Sequence, residues 1–103
     1  MAIVAQTLNG TCTLAVDGEM SIYTAAELKG ELLGWLEPAT QTRLDLAQVS
    51  EIDAAGVQLL LLIRRQVLAA GQSLTLIECS PAVRDTLKLC NTWTMFEGQA
   101  SLA

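Results

Sequence analysis

Residues 43–63 read RLDLAQVSEIDAAGVQLLLLI, and this stretch joins a predicted strand to a predicted helix. Arg43–Leu46 alternates like a short strand. After Asp53, residues recur at helical spacing: Val57, Leu60, Leu61, Arg64, Val67 and Leu68. Gly71 is predicted to end this helix as a C-terminal cap. The stretch therefore indicates a strand followed directly by a helix with one apolar face.

Asp53 occupies the position from which a side chain caps the helix start. Its carboxylate is predicted to accept hydrogen bonds from the amides of Ala55 or Gly56, at the positive end of the helix dipole. Gly56 is predicted to let the helix start pass close to a neighbouring strand. Ala54 and Ala55 are good helix formers without reactive groups. Small side chains here allow the backbone of a partner to approach closely.

The N-terminal segment is predicted to form a hairpin. Ile3–Leu8 is the first strand, and Asn9-Gly10 is a strong turn signal. Thr11–Val16 alternates, which places one set of side chains in the core: Cys12, Leu14 and Val16. Asp17-Gly18 is predicted to close the second strand.

A first helix follows this hairpin. Thr24-x-x-Glu27 is a capping-box pattern, and Pro38 is predicted to end the helix. Its apolar stripe comprises Ala25, Leu28, Leu32, Trp35 and Leu36.

The C-terminal third continues the alternation of strand and helix. Leu74–Ile77 is predicted as a strand, and Ser80-Pro81 as the start of a helix. That helix is predicted to bury Val83, Leu87 and Cys90 and to end at Asn91 in a left-handed conformation. Met95-Phe96 is either a last short strand or an anchor, and Glu97–Ala103 is predicted to be a loose tail.

These elements predict one α/β domain over residues 1–103. The order is β-β-α-β-α-β-α, with an optional final strand, so we expect a mixed sheet with helices packed on it. No repeat, linker or second domain is apparent.

Composition narrows the function. The chain has 103 residues and a net charge of −5 with only six Lys plus Arg, so it is not expected to bind nucleic acid. There is no His, which removes the commonest general base and metal ligand. The three Cys residues are widely spaced, so we expect reduced thiols, no metal and no cofactor. The N-terminus has no signal-peptide pattern and Leu59–Ile63 is too short to span a bilayer, so a cytoplasmic protein is expected.

Two segments resemble the STAS domain, the fold of bacterial anti-sigma factor antagonists and of the cytoplasmic tails of sulphate transporters. Residues 18–28, GEMSIYTAAEL, resemble the segment that leads into the family's first helix. Residues 43–56 resemble its signature, in which an Asp, two small residues and a Gly follow a strand. The resemblance extends over roughly Ile3 to Phe96.

The resemblance implies a non-enzymatic module that binds a protein partner. In antagonists of this family a kinase phosphorylates a Ser or Thr in the signature loop. Ala55 stands at that position here and Ala54 precedes it, so no phosphoacceptor is present there. Ser50 is the nearest hydroxyl upstream.

Two functions remain open at this point. The first is a bacterial signalling module bound to an anti-sigma factor or kinase, or to a chemotaxis or two-component scaffold. The second is a small subunit that grips an ABC-type lipid-transport ATPase. In both cases the expected contact surface comes from two segments, the Ser50–Gly56 loop and the Gly18–Tyr23 turn, which follow neighbouring strands and are expected to meet at one edge of the sheet. The contact residues named within them are Ser50, Asp53, Ala54, Ala55 and Gly56, together with Glu19, Ser21 and Tyr23. A nucleotide-binding enzyme is not expected, because no phosphate-cradling loop or base cluster is present.

Overall fold

The computed structural model describes residues 2–36 and 40–97. Its elements are β1 (Ala2–Leu8), β2 (Thr11–Met20), α1 (Ala25–Leu36), β3 (Gln41–Ile52), α2 (Ala54–Ala69), β4 (Ser73–Cys79), α3 (Pro81–Leu89) and α4 (Trp93–Glu97). The predicted order is confirmed through the third helix. Pro38 and the 98–103 part of the expected tail lie outside the described residues, while Glu97 ends α4.

The sheet has the strand order β1-β2-β3-β4. β1 pairs antiparallel with β2, whereas β2, β3 and β4 run parallel. Parallel neighbours need crossover connections, which α1 and α2 supply. The predicted hairpin is confirmed: Asn9 and Gly10 have φ values of 52° and 83°, as a two-residue type I′ turn requires.

The two central strands are longer than predicted. β2 does not close at Asp17-Gly18 but continues to Met20. Gly18 has a φ of 112° and marks one of two places where the β2–β3 register shifts. The glycine therefore produces an irregularity inside the strand instead of ending it. β3 likewise extends beyond Arg43–Leu46 to Ile52, paired with the extension of β2.

One face of the sheet is buried and the other is open. The buried face includes Leu14 of β2, Leu44 of β3 and Leu76 of β4, each at most 1% exposed. The intervening residues, such as Thr13, Arg43 and Thr75, are half-buried or exposed. The helices contribute the opposite wall of the core, including Leu28, Leu60 and Val83. This two-layer arrangement leaves the ends of the strands accessible.

α1 differs from the prediction at one residue of its apolar stripe and at its N-terminal cap. Leu28, Leu32 and Leu36 are buried, but Trp35 is 44% exposed. The Thr24 hydroxyl does not form the predicted capping box. It accepts a bond from the Ser21 amide and donates to the Glu19 carbonyl, at 3.0 and 2.9 Å. Thr24-x-x-Glu27 has the residue types of a capping box, but the preceding loop competes for the Thr24 hydroxyl.

The ends of α2 and α3 follow their sequence signals. Gly71, with a φ of 73°, donates to Leu68, and Gln72 donates to Val67, which is a Schellman motif. The Ser80 hydroxyl accepts a bond from the Val83 amide at 3.3 Å. Asn91 adopts the predicted left-handed conformation, with a φ of 57°.

The predicted strand at Met95-Phe96 is wrong, because these residues belong to α4. The alternative interpretation as an anchor is confirmed, since Phe96 is fully buried. The Arg64 side chain also donates to the Met95 carbonyl at 3.2 Å and ties α4 to α2.

The three thiols differ in accessibility. Cys12 is buried as predicted, Cys79 is half-buried, and Cys90 is exposed in contrast to the prediction. Burial raises the pKa of the Cys79 thiol to about 11, which leaves little thiolate at neutral pH.

We expect iodoacetamide at pH 7.5 to alkylate Cys90 first, and Cys79 and Cys12 far more slowly. Peptide mass spectrometry over time measures the order, and equal rates at Cys90 and Cys12 would contradict it.

Candidate partner-binding site at the β2–α1 and β3–α2 loops

The ends of β2 and β3 bring two loops together. The strands are parallel neighbours, and Met20 is paired with Ile52 at the end of the register. The Asp53 amide donates to the Met20 carbonyl at 3.2 Å. The 18–23 turn and the 50–56 loop therefore meet as predicted, at the end of the sheet where β2 and β3 finish.

The Asp53 carboxylate links the two loops directly. One oxygen accepts a bond from the Gly56 amide at 3.1 Å, which is the predicted helix cap. The other accepts a bond from the Ile22 amide at 3.0 Å. Periodicity and capping rules do not reveal this second bond, since its partner lies 31 residues away in the chain. The Ile22 amide is also the main reason that the pKa of Asp53 is lowered.

Gly56 fits against the end of β2, as predicted. A Cβ atom at this position would overlap the Met20 carbonyl oxygen and would lie 2.7 Å from the Ile52 side chain. Both are closer than atoms can pack. The absence of a side chain at Gly56 therefore allows the helix to start directly behind the strand ends.

The β2–α1 loop is shaped by its own hydrogen bonds. The Ser21 hydroxyl donates to the Glu19 carboxylate at 3.1 Å and accepts a bond from the Tyr23 amide at 3.2 Å. Ser21 is therefore buried, whereas Ile22 and Tyr23 are 71% and 89% exposed. The polar residues of the loop face inward and its two large apolar side chains face outward.

Ile22 lies within the predicted Gly18–Tyr23 turn but is not among the contact residues named from the sequence. An apolar residue beside Tyr23, between a strand and a helix start, was the available signal. Large apolar side chains held in solvent at adjacent positions are typical of interaction surfaces.

A shallow groove adjoins the loops between α1 and α2. It has a volume of about 270 Å³ and is lined by Ala25, Ala26 and Lys29 of α1 and by Ala55, Gln58, Leu59 and Leu62 of α2. Three of the lining side chains are alanines, so the helix starts form a smooth apolar depression. Ala55, which is half-buried, lies in this groove, and Ala54 beside it is exposed.

The remaining predicted residue, Ser50, is exposed on β3. Glu19 and Glu51 are register partners on β2 and β3, and Asp53 follows immediately after β3. This end of the sheet therefore carries acidic, apolar and small side chains. Because both Asp53 oxygens accept backbone bonds, that carboxylate holds the loops in place and is poorly suited to act as a general base.

Substitutions of Asp53 separate its two bonds. Asp53→Asn keeps one acceptor oxygen for the helix cap but loses the second acceptor for Ile22, while Asp53→Ala loses both. We expect Asp53→Ala to lower the melting temperature at pH 7 by about 4–8 °C and Asp53→Asn by less. Thermal unfolding followed by circular dichroism measures both. Equal melting temperatures for wild type and Asp53→Ala would contradict the linking role.

The same residue predicts a pH dependence. Its pKa in the folded protein lies below the ordinary value of 3.8, so its contribution to stability is complete above that value and is lost as pH falls through the lowered pKa. The stability difference between wild type and Asp53→Asn should therefore shrink as the pH falls below about 4. A difference that grows with acidity would reverse the sign and contradict the assignment.

Known proteins match both the sequence and the fold. The family model described as "Mlab, STAS domain" matches residues 3–95. No curated protein sequence matches the chain significantly. An anti-sigma factor antagonist from Mycobacterium paratuberculosis aligns with a TM-score of 0.83 at 16% identity, covering 99% of this chain and 86% of that one.

Two further solved structures have the same fold. The Bacillus cell fate determinant SpoIIAA, in its phosphorylated form, has a TM-score of 0.74 at 16% identity, with 97% of this chain and 89% of that chain covered. A sulfate transporter family protein from Wolinella succinogenes has a TM-score of 0.76 at 22% identity, with 92% and 79% covered. At these identities the structures establish the fold alone. Within residues 2–36 and 40–97, no helix is long and apolar enough to cross a membrane.

Proposed function

Because the chain belongs to the STAS domain family, we propose that it is a non-catalytic regulatory module that binds a protein partner. The contact area is the surface formed by Glu19, Ser21–Tyr23, Ser50 and Asp53–Gly56, called the loop surface below. The partner belongs to the class of anti-sigma factors and kinases, or to the scaffolds of chemotaxis and two-component signalling. The setting is the bacterial cytoplasm.

The observation that carries this proposal is the pair of hydrogen bonds that the Asp53 carboxylate accepts from Ile22 and Gly56. This pair is called the Asp53 bridge below. It ties the Ile22 amide to the start of α2 at 3.0 Å and so fixes the backbone that carries two strongly exposed side chains, Ile22 and Tyr23. A preformed surface loses little conformational entropy when it binds. Tyr23 supplies an aromatic anchor of the kind that dominates binding energy at interfaces.

The charges on and beside the loop surface indicate the chemistry of the partner. Glu19 and Asp53 of this surface and the neighbouring Glu51 lie at the same end of the sheet, in a chain of net charge −5. Complementarity therefore favours a partner with a basic patch around an apolar centre. The association rate should fall as ionic strength rises, since long-range attraction is screened.

We propose that partner binding is constitutive, because no phosphorylation of the 50–56 loop switches it. A phosphate would add about −1.5 to −2 charge at neutral pH and disrupt a close contact. Ala54 and Ala55 have no hydroxyl to accept it, and Gly56 is buried. Control of binding would then depend on the amount of the protein or on the state of the partner.

Affinity capture from the native host tests the proposal. The tagged protein is used as bait, captured proteins are identified by mass spectrometry, and the direct partner is confirmed by calorimetric titration with purified components. A variant with Ile22→Ser and Tyr23→Ser removes the apolar contacts without touching the Asp53 bridge, which uses the backbone amide. Capture of the same proteins by both baits would contradict the role of the loop surface.

We expect no phosphorylation in the 50–56 loop. The protein is incubated with ATP and the captured kinase, and then subjected to intact-mass and phosphopeptide analysis. The reason is the alanine at the family's acceptor position. Phosphate on Ser50 or Ser21 would contradict the proposal of an unswitched module.

A second candidate function is a subunit that grips an ABC-type lipid-transport ATPase. One observation favours it: the loop lacks a phosphoacceptor, because Ala54 and Ala55 have no hydroxyl. The same capture experiment separates the candidates. An ATPase recovered with membrane transport components supports this second function, and a histidine kinase or sigma regulator supports the first.

A further inference from the structure

β1 forms an edge of the sheet, and in the described part of the chain no strand pairs with its outer side. Its extensive contacts within residues 2–36 and 40–97 are with β2. An edge strand presents unpaired backbone groups, and natural proteins protect such edges with charged side chains, proline, bulges or short length. β1 has seven residues, AIVAQTL, which include no charge and no proline, and its pairing with β2 is regular.

The charge distribution indicates what can approach this edge. Residues 2–16 contain none of the 6 basic and 11 acidic residues of the chain. The opposite edge strand, β4, has an exposed Glu78. A second copy of this acidic protein can therefore approach β1 without bringing like charges into contact. We infer that β1 is a self-association strand, through which two copies join their sheets into one of eight strands.

The turn geometry specifies which backbone groups are free. Leu8 and Thr11 flank a two-residue type I′ turn and are register partners. Residues in that position exchange both backbone hydrogen bonds, and in antiparallel pairs such bonded positions alternate. The backbone groups of Ile3, Ala5 and Thr7 consequently point away from β2.

A two-fold axis through Ala5 satisfies all three positions. In an antiparallel pair of β1 strands, Ala5 lies opposite Ala5 of the second copy, and Ile3 lies opposite Thr7 of the second copy. A two-fold interface uses the same surface on both copies. The exposed side chains Val4 and Leu8, at 61% and 73%, lie on the outer sheet face and gain neighbours across the new strand pair.

The association should be weak. One seven-residue edge offers less area than the ~1,200–2,000 Å² of stable interfaces, so we expect a dissociation constant on the order of 100 μM. Sedimentation velocity of the full chain from 10 μM to 1 mM measures the monomer–dimer equilibrium. Higher salt should strengthen the dimer, because it screens repulsion between two acidic molecules.

Amide hydrogen exchange followed by NMR identifies the strand. On raising the concentration, the amides of Ile3, Ala5 and Thr7 should become protected. Those of Val4, Gln6 and Leu8 should change little, since β2 already binds them. New protection at other surfaces without this alternation would overturn the proposal and indicate a different dimer. A protein that remains monomeric at 1 mM would overturn it as well.

Two variants disrupt the pairing by different means. Ala5→Pro removes an outward N–H and blocks a second strand while leaving the β1–β2 bonds intact, and should weaken association at least tenfold. Gln6→Glu places like charges across the two-fold axis, and should weaken it several-fold at low salt and less at high salt. If Ala5→Pro fails to fold, Gln6→Glu decides the question.

Gln66→Glu is the charge control, because Gln66 is exposed on α2 and the substitution adds the same charge away from β1. An equal effect of both Glu variants would overturn the assignment to β1.

Discussion

Gly56→Ala should destabilise the protein by about 2–3 kcal/mol, because a single methyl group has no space there. The new Cβ would overlap the Met20 carbonyl oxygen and would lie 2.7 Å from the Ile52 side chain. The carbonyl cannot move freely, since it accepts the Asp53 amide at 3.2 Å. Relief of the overlap therefore requires α2 to shift from the strand ends. Urea denaturation measures the loss of unfolding free energy.

The two helical glycines of α1 provide matched controls. A Cβ at Gly30 or Gly34 would meet no atom within 4 Å apart from its chain neighbours and the backbone of its own helix. Gly30→Ala should instead raise the unfolding free energy by about 0.4–1 kcal/mol, through a lower entropy of the unfolded chain. If Gly56→Ala were as stable as Gly30→Ala, the close approach of α2 to β2 would be wrong.

Ala55→Glu should reduce partner affinity at least about tenfold and leave the fold intact. The new side chain fills the groove between α1 and α2, in which Ala55 lies. Stability should be maintained, because a carboxylate in the first turn of a helix interacts favourably with its dipole. Calorimetric titration with the captured partner measures the affinity, and circular dichroism verifies the fold.

Two further variants isolate the cause. Ala82 occupies the same position in α3, two residues after the Ser80 cap, and is also half-buried. Ala82→Glu should therefore bind like wild type. Ala55→Gln has the size of glutamate without its charge, and should lose at least as much affinity as Ala55→Glu, because both crowd the contact and only the glutamate adds attraction to the proposed basic patch. A folded Ala55→Glu protein with unchanged affinity would move the partner surface elsewhere.

The elements with local signals were predictable. Asn9-Gly10, Asp53, Gly71 and Ser80-Pro81 each act within four or five residues of chain, and all four have the expected roles. Gly56 was also recognised as a point of close approach, although its neighbour Met20 could be identified only from the structure.

The errors have a common physical cause, which is competition from distant parts of the chain. β2 and β3 exceed their predicted lengths because they pair with each other beyond the reach of local propensity. The Thr24 hydroxyl bonds to the preceding loop and not to the helix. Cys90 follows α3 and is exposed even though it continues the helical spacing of Val83 and Leu87.

For the candidate site, the meeting of the two segments was predictable, but the hydrogen bond that joins them was not. Asp53 and the 18–23 turn were both named, but the bond from Ile22 to the Asp53 carboxylate joins residues 31 positions apart. Ile22 could not be singled out within the turn, because its exposure depends on the inward bonds of Ser21, which sequence periodicity does not encode. The loop surface is thus a tertiary property built from two recognisable segments.

Site-specific photo-crosslinking in the native host tests the central claim most directly. Tyr23, which is 89% exposed, is replaced by p-benzoylphenylalanine, a side chain of similar shape, and Trp35, which is 44% exposed at the other end of α1, is replaced as the control. We expect irradiation to crosslink the captured partner to position 23 and not to position 35. A crosslink to the same partner from position 35 alone would contradict it.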